Sequence, residues 1–246
     1  MEIIMEKEVV VKFTNVTKVY KLYKSDRARF KGLFSSKVKY KTNKAVNNLS
    51  FEVRRGESVA LFGRNGAGKS TILKMVTGVT FPTEGEVFVD GKVSALLELG
   101  AGFDPESTGR ENISFKCSLM GMTEEEIKKV EPSIVEFADI GDYMDQPLRS
   151  YSSGMKARLG FAINVNAQPD ILIVDEALSV GDKAFRKKCS KKIDEIMADE
   201  NVTLLFVTHS LVTAKEFCSR GIVLEKGRKL FDGPIDEAID FYDSGR

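Results

Sequence analysis

The chain has a single histidine, three cysteines and six prolines in 246 residues. It also has no apolar run approaching the ~20 residues that a membrane-crossing helix requires, so it is not expected to cross a bilayer by itself. The N-terminal MEIIMEKEVV carries acidic residues where a signal peptide needs a basic and then an apolar stretch, and no export signal is expected. An excess of either charge is missing too: 37 Lys and Arg stand against 36 Asp and Glu, a formal net charge of +1. Any preference for nucleic acid or an anionic surface must therefore be local. Cys117, Cys189 and Cys218 are odd in number and lack metal-ligand spacing, which reads as reduced thiols of a cytoplasmic protein. At 42% hydrophobic residues the chain can bury one large core, or one core plus a subdomain, and a tandem of domains is not expected.

What is present is a set of short motifs in a fixed order. Gly63, Arg64, Asn65, Gly66, Ala67, Gly68, Lys69 and Ser70 (GRNGAGKS) match GxxxxGK[ST] between an apolar strand, Ser58 to Phe62, and a helix starting near Lys69. Glycines let backbone N–H groups close around an anion, and the helix N-terminus adds positive potential. Lys69 would reach the β- and γ-phosphates, the Ser70 hydroxyl would ligate Mg²⁺, and Thr71 would bond a phosphate as well. Downstream, Ile171 to Val174 read as a buried parallel strand ending in two carboxylates, Asp175 and Glu176. Carboxylates at a strand's C-terminal end face the ligand crevice. Asp175 is placed to hold Mg²⁺ through water, and Glu176 to orient or deprotonate the attacking water. The lone His209 follows another apolar run, Thr203 to Val207, expected to lie near the Asp175 strand, where its imidazole can donate to a γ-phosphate oxygen or the attacking water. ATP and Mg²⁺ are the ligands this set implies.

The rest of the chain arranges around these motifs. Val9 to Phe13 and Leu49 to Val53 read as strands, the second ending at a turn at Arg55 and Gly56. Between them, Lys24 to Lys44 is rich in Lys and Arg, with Asp26 its only acid. Phe30, Leu33 and Phe34 fall at i, i+3 and i+4, one face of a helix, with Arg27, Arg29, Lys31 and Lys37 able to snorkel. Two readings stay open: a solvated surface loop, or a short amphipathic helix at a lipid headgroup interface acting as a gate. Gly85 to Val89 and Lys92 to Leu97 read as short strands around Asp90 and Gly91. The stretch from about 111 to 150 lacks β-branched runs and reads as helical, with a capping box at Thr123 and Glu126 and with Pro132 expected to kink or split its helix. Strands resume at Ile171, Val202, Gly221 to Leu224 and Lys229 to Phe231, and Gly233 and Pro234 start a last helix, Ile235 to Tyr242.

Tyr151 to Leu159 (YSSGMKARL) resembles the signature motif of ATP-binding cassette (ABC) ATPases and lies, as in that family, between the phosphate loop and the DE strand. The resemblance covers nearly the whole chain. It implies an α/β fold: a P-loop NTPase with a RecA-like core and an antiparallel β subdomain (1–98 and 167–246), plus an inserted α-helical subdomain (99–166). It also implies that Ser152, Ser153, Gly154 and Met155 complete the nucleotide pocket of a second subunit, so that catalysis needs a head-to-tail homodimer. In the family an aromatic residue lies under the adenine shortly after the first strand. Tyr20 sits at that point, with Tyr23 as second candidate and a partly buried structural tyrosine as the alternative. Leu178 to Asp182 resembles the D-loop that crosses the dimer interface, with Asp182 at its acidic position. The chain departs from the pattern at Leu99, where most members carry a glutamine that touches Mg²⁺ and senses the transmembrane partner; Glu98 is the nearest group that could replace it.

Glu98 to Phe103 (ELGAGF), Gly109 to Ile113 (GRENI), YSSGM and Asp175 to Asp182 (DEALSVGD) resemble the polysaccharide-exporting branch of ABC transporters. Phe137 to YSSGM and Pro169 to Cys189 are similar to the ATPase subunits of wall teichoic acid exporters. In that branch the N-terminal insertion forms a helix at the membrane surface. The resemblance implies a peripheral subunit on the cytoplasmic face of the cell membrane, working with two transmembrane permease subunits on an undecaprenyl-linked polymer and not on nucleic acid. An O-antigen or capsular polysaccharide exporter is the nearest alternative. The sequence ends soon after the His209 strand, without the carbohydrate-binding domain that some O-antigen exporters append. Further off lie a drug or lipoprotein exporter and a soluble ABC protein acting on ribosomes or nucleic acid through Lys24 to Lys44.

Overall fold

A computed structural model describes residues 7–35, 38–96, 102–175, 182–208 and 210–245. Two sheets organise it. Strands β1 (Val9–Leu22), β2 (Lys41–Arg54) and β4 (Glu84–Val89) form an antiparallel sheet in the order β2-β1-β4. Strands β3 (Ser58–Phe62), β5 (Val93–Ala95), β6 (Ile171–Asp175), β7 (Thr203–Val207), β8 (Arg220–Glu225) and β9 (Arg228–Pro234) form the second, in the order β5-β6-β7-β3-β8-β9. All its pairings are parallel except β8 with β9.

The six-stranded sheet is buried on both faces, and the pleat sorts its side chains. In β6, Ile171 and Ile173 enter one core while Leu172 and Val174 enter the other; in β7, Leu205 and Val207 oppose Leu204 and Phe206. One core lies against the antiparallel sheet, where Phe13 stacks on Phe51 at 4.6 Å, and against helix α2 (Lys69–Val76) through Ile72, Leu73 and Val76. The other is closed by residues of α3 (Gly109–Leu119), α4 (Glu124–Ala138), α5 (Ser153–Asn166), α6 (Lys183–Met197), α7 (Leu211–Phe217) and α8 (Ile235–Asp243). Near-continuous apolar strands are the signature of a sheet covered on both sides, as the sequence suggested.

Several elements differ from expectation. The first two strands are 14 residues each, because the hairpin continues past its apolar ends as far as the pair Leu22 and Lys41. The segment beyond that pair carries a helix, α1 (Asp26–Phe34), capped by Ser25, whose hydroxyl accepts from Ala28 N at 3.2 Å. Strands β4 and β5 flank Asp90 and Gly91 but belong to different sheets, so the turn carries the chain from one layer to the other. Pro132 sits inside α4, which runs as one helix of 15 residues and is not split. Helices α6 and α7 follow the segments that contain the DE motif and His209.

Candidate functional site

The site begins where β3 ends. Beyond Phe62 the backbone turns through Gly66 (φ +82°) and Gly68 (φ +108°), left-handed conformations that side chains resist. Gly68 is the N-cap of α2 and makes no side-chain cap, and a Cβ there would lie 2.5 Å from the carbonyl of Ala45. A Cβ at Gly66 would meet nothing within 4 Å, so the loop is open on that side. Ala67 N donates to Arg64 O at 3.0 Å, and Thr71 N and Ile72 N both reach back to Gly68 O at 3.0 Å. The N-terminus of α2 brings the positive end of its helix dipole to this loop. Lys69 is buried, and its ammonium donates to the carbonyls of Gly63 and Arg64, holding the charge within the loop.

Around this loop lies a cleft of about 490 Å³, a size suited to a small ligand. The whole run from Arg64 to Thr71 lines it, together with Tyr20, Asn43, Ala45, Asp175 and Val207. Ten of the predicted residues, Tyr20, the run from Arg64 to Thr71 and Asp175, thus share one cavity, while Gly63 is not part of its lining. Tyr23 does not line it; its ring packs on Tyr40 at 5.4 Å. Asn43 and Ala45 were missed by sequence reading. They come to the cleft because β2 pairs Asn43 with Tyr20, and nothing in a polar, Lys-rich stretch announced that register. Gly227 was missed as well: its N donates to Ala67 O at 3.0 Å while its carbonyl accepts from Asn47 N at 2.8 Å, fixing the back of the loop to the β8–β9 turn.

The signature segment forms the start of α5. Ser152 is its N-cap, with Oγ accepting from Met155 N at 3.2 Å. Ser153 and Gly154 are exposed, and Tyr151 beneath them is buried, donating its hydroxyl to Tyr143 O at 2.6 Å. None of the four residues from Ser152 to Met155 lines this chain's own cleft. Asp182 caps α6, with Oδ1 accepting from Phe185 N at 2.8 Å. Phe30, Leu33 and Phe34 stand on α1, away from the cleft lining, with exposures of 65%, 73% and 80%. Glu176, His209, Leu99, Glu98, Lys37 and Leu178 lie outside the described residues, although the two segments that lead to Glu176 and His209 end in the cleft-lining Asp175 and at Val207.

The family model for ABC transporters matches residues 46–179, from β2 through the phosphate loop, signature and DE strand. The chain belongs to the ABC transporter family. Among curated relatives, the ABC protein called teichoic acids export ATP-binding protein TagH of Bacillus anthracis is 47% identical over 95% of this chain and 42% of its own length. TagH of Listeria monocytogenes serotype 4b is 45% identical over 97% of this chain and 71% of its own. The O-antigen export system ATP-binding protein RfbB of Klebsiella pneumoniae is 44% identical over 96% of this chain and 98% of its own. The chain thus spans less than half the length of the Bacillus relative and nearly all of the Klebsiella one. The fold is that of solved ABC cassettes. A dimeric cassette in a post-hydrolysis state with ADP and phosphate superposes with a TM-score of 0.72 at 23% identity, covering 92% of this chain and 98% of that one. The ATP-binding subunit of an ABC transporter superposes with a TM-score of 0.74 at 21% identity, covering 95% and 93%. The chain is accordingly a nucleotide-binding cassette of α/β fold, and among the described residues no helix is long and apolar enough to cross a membrane.

Proposed function

We propose that this cassette hydrolyses ATP as the engine of an ABC exporter that moves undecaprenyl-linked wall teichoic acid outward, working as a homodimer beneath two permease subunits at the cytoplasmic face of the membrane. The observation that carries the reading is the cleft that gathers the phosphate loop, Asp175 and Tyr20 in a chain 45% and 47% identical to relatives named for teichoic acid export.

Within the pocket, the loop amides and Lys69 bind and orient the triphosphate, and Tyr20 offers its ring to the adenine. Ser70 and Asp175 supply hard oxygen ligands on the cleft wall, the donor set suited to Mg²⁺ held by one or two protein oxygens plus phosphates and water. Bound there, Mg²⁺ neutralises phosphate charge. Glu176 accepts the proton of the attacking water, and His209 steadies the γ-phosphate. Ser152 to Met155 close the partner's pocket, because Ser152, Ser153 and Gly154 are exposed and none of the four lines its own. The α3 to α5 region is then the inserted helical unit, 99–166, that carries the signature turn against the partner. Helix α1 is the membrane-facing gate: Phe30, Leu33 and Phe34 share an exposed arc with Arg29 on one flank and Arg27 and Lys31 on the other.

A second reading, export of O-antigen, is favoured by the RfbB relative, which this chain matches over nearly its full length. Purified with its membrane partners and reconstituted, the cassette should show ATP hydrolysis stimulated by undecaprenyl-linked poly(polyol phosphate). Stimulation by an undecaprenyl-linked neutral polysaccharide alone would favour the second reading, and no stimulation by either would reject both.

A further inference from the structure

Tyr20 is braced from behind. Lys18, two residues before it on β1, donates from Nζ to the carbonyl of Phe81 at 2.6 Å, and the same nitrogen stands 5.3 Å from the centre of the Tyr20 ring. Val19 N, between them, donates to Thr83 Oγ1 at 3.0 Å, so the strand is tied on that side to the segment leading into β4. Tyr20 lines the cleft and Lys18 does not, so the ammonium covers the ring on the side turned from the ligand space. A cation held against a ring is attracted to its face and helps to fix it. The ring is thereby a set platform, with its other face left for a stacked base.

Asn43 stands directly across from Tyr20 in the antiparallel β1–β2 register. Residues opposed in this way have Cβ atoms about 4.5–5.5 Å apart on the same face of the sheet, and both of these line the cleft. The Asn43 amide is exposed and has no hydrogen-bond partner among the described residues, which leaves its NH₂ and its carbonyl to a ligand. Its reach from the phosphate loop is also set. Two residues further along β2, the carbonyl of Ala45 lies against the loop, 2.5 Å from where a Cβ on Gly68 would stand. Two strand residues span about 7 Å, which places the width of a ribose between the loop and Asn43.

We propose that Asn43 makes this pocket select adenine: a base stacked on the open face of Tyr20 turns its 6-amino group and the adjacent ring nitrogen to the Asn43 amide. The inference rests on the reading above, in which Tyr20 stacks on the base, and deepens it by naming the group that reads that base. Adenine sets a donor, the 6-amino group, beside an acceptor ring nitrogen, and an asparagine amide answers both with its carbonyl and its NH₂. Guanine carries a carbonyl at position 6, which in that alignment faces the amide carbonyl and leaves it unpaired. Stacking alone does not discriminate in this way, since every base has a π-face.

Isothermal titration of the full chain with the Mg²⁺ complexes of ATP, GTP and purine riboside triphosphate, which lacks the 6-amino group, tests this. Wild type should bind ATP about tenfold more tightly than either of the others, the lower part of the range for a bidentate amide–base pair because the amide is exposed. Asn43→Ala should bind ATP as weakly as purine riboside triphosphate, with the latter's affinity and the melting temperature unchanged, and Asn43→Gln should restore part of the preference. Tyr20→Ala should instead weaken all three nucleotides alike. A wild-type chain without preference for ATP, or an Asn43→Ala variant that keeps it, would overturn the selection. So would equal losses for ATP and purine riboside triphosphate, the pattern of an amide that touches ribose or only shapes the cleft. Those results leave ATP binding and hydrolysis standing, whereas wild-type affinities for all three in Tyr20→Ala would remove the stacking reading and the selection with it.

Discussion

Asp175 pairs with Val207 across the parallel β6–β7 register, and Val207 pairs in turn with Leu61 of β3. Strand β7 therefore stands between the acid and the phosphate loop, and the two reach the same edge of the sheet about 10 Å apart, two interstrand spacings. The strand in between ends just before the segment containing His209.

The capping boxes of α3 and α4 give the stability a pH dependence. Glu111 Oε2 accepts from Thr108 N at 2.7 Å, and Glu126 Oε2 accepts from Thr123 N at 2.7 Å. These backbone bonds, reinforced by the threonine hydroxyls, hold both carboxyls below their ordinary value of 4.5. In the unfolded chain the groups bind protons at higher pH, so their contribution is full above 4.5 and is lost as pH falls through the lowered folded values. Denaturation midpoints followed from neutral pH downward should show this loss, and Glu111→Gln with Glu126→Gln should make the acid limb shallower.

Gly109 opens α3 in contact with the support of the signature turn. A Cβ there would lie 2.6 Å from Met144 Sδ and 2.8 Å from the Met144 carbonyl, and would also strike the Tyr151 hydroxyl. Gly109→Ala should destabilise the fold by roughly 1–3 kcal/mol, the usual cost of overpacking, read as a lower denaturation midpoint. Because Tyr151 precedes Ser152, the variant should also hydrolyse ATP more slowly.

The three thiols should be inert in the native protein. All are buried, and desolvation pushes Cys117 up to about 11 and Cys189 and Cys218 up to about 12. At neutral pH the thiolate fraction is then about one in ten thousand or less. A chromogenic disulfide reagent should label all three cysteines in denaturant and react only slowly without it.

Most of the sheet and the phosphate-binding side of the site were legible in the sequence. The five-residue strands β3, β6 and β7 each carry four consecutive apolar residues because both their faces are covered, and each ends at a motif. Both α3 and α4 open on a capping box, at Thr108 with Glu111 and at Thr123 with Glu126, and the second is legible from its spacing alone. What escaped depended on tertiary register. Asn43 and Ala45 reach the cleft only through the long β1–β2 pairing, whose shifts between Phe13 and Val16 and between Val16 and Lys18 no local pattern encodes. Helix α6 was hidden because its basic run, Lys183 to Lys192, masks the buried stripe of Phe185, Cys189 and Ile193. Pro132 does not split α4, since burial of Ile127, Ile134 and Phe137 along the helix outweighs one lost backbone bond.

Helix α1 yields a prediction about the gate. Phe30, Leu33 and Phe34 lie outside both cores, so replacing all three by serine should leave melting temperature and ATP binding unchanged. Flotation with anionic vesicles and polymer export should both be impaired. Unchanged export would reduce α1 to a decorated surface segment.

The central claim is that two copies of this chain close around ATP and that Glu176 then drives hydrolysis. Sedimentation of Glu176→Gln with and without Mg-ATP tests it most directly, alongside the ATPase rate. The account predicts a stable ATP-dependent dimer with turnover lowered by about 10² to 10⁵, the loss expected when a group serving the transferred phosphate is removed. A monomer in saturating Mg-ATP, or turnover at the wild-type rate, would contradict it.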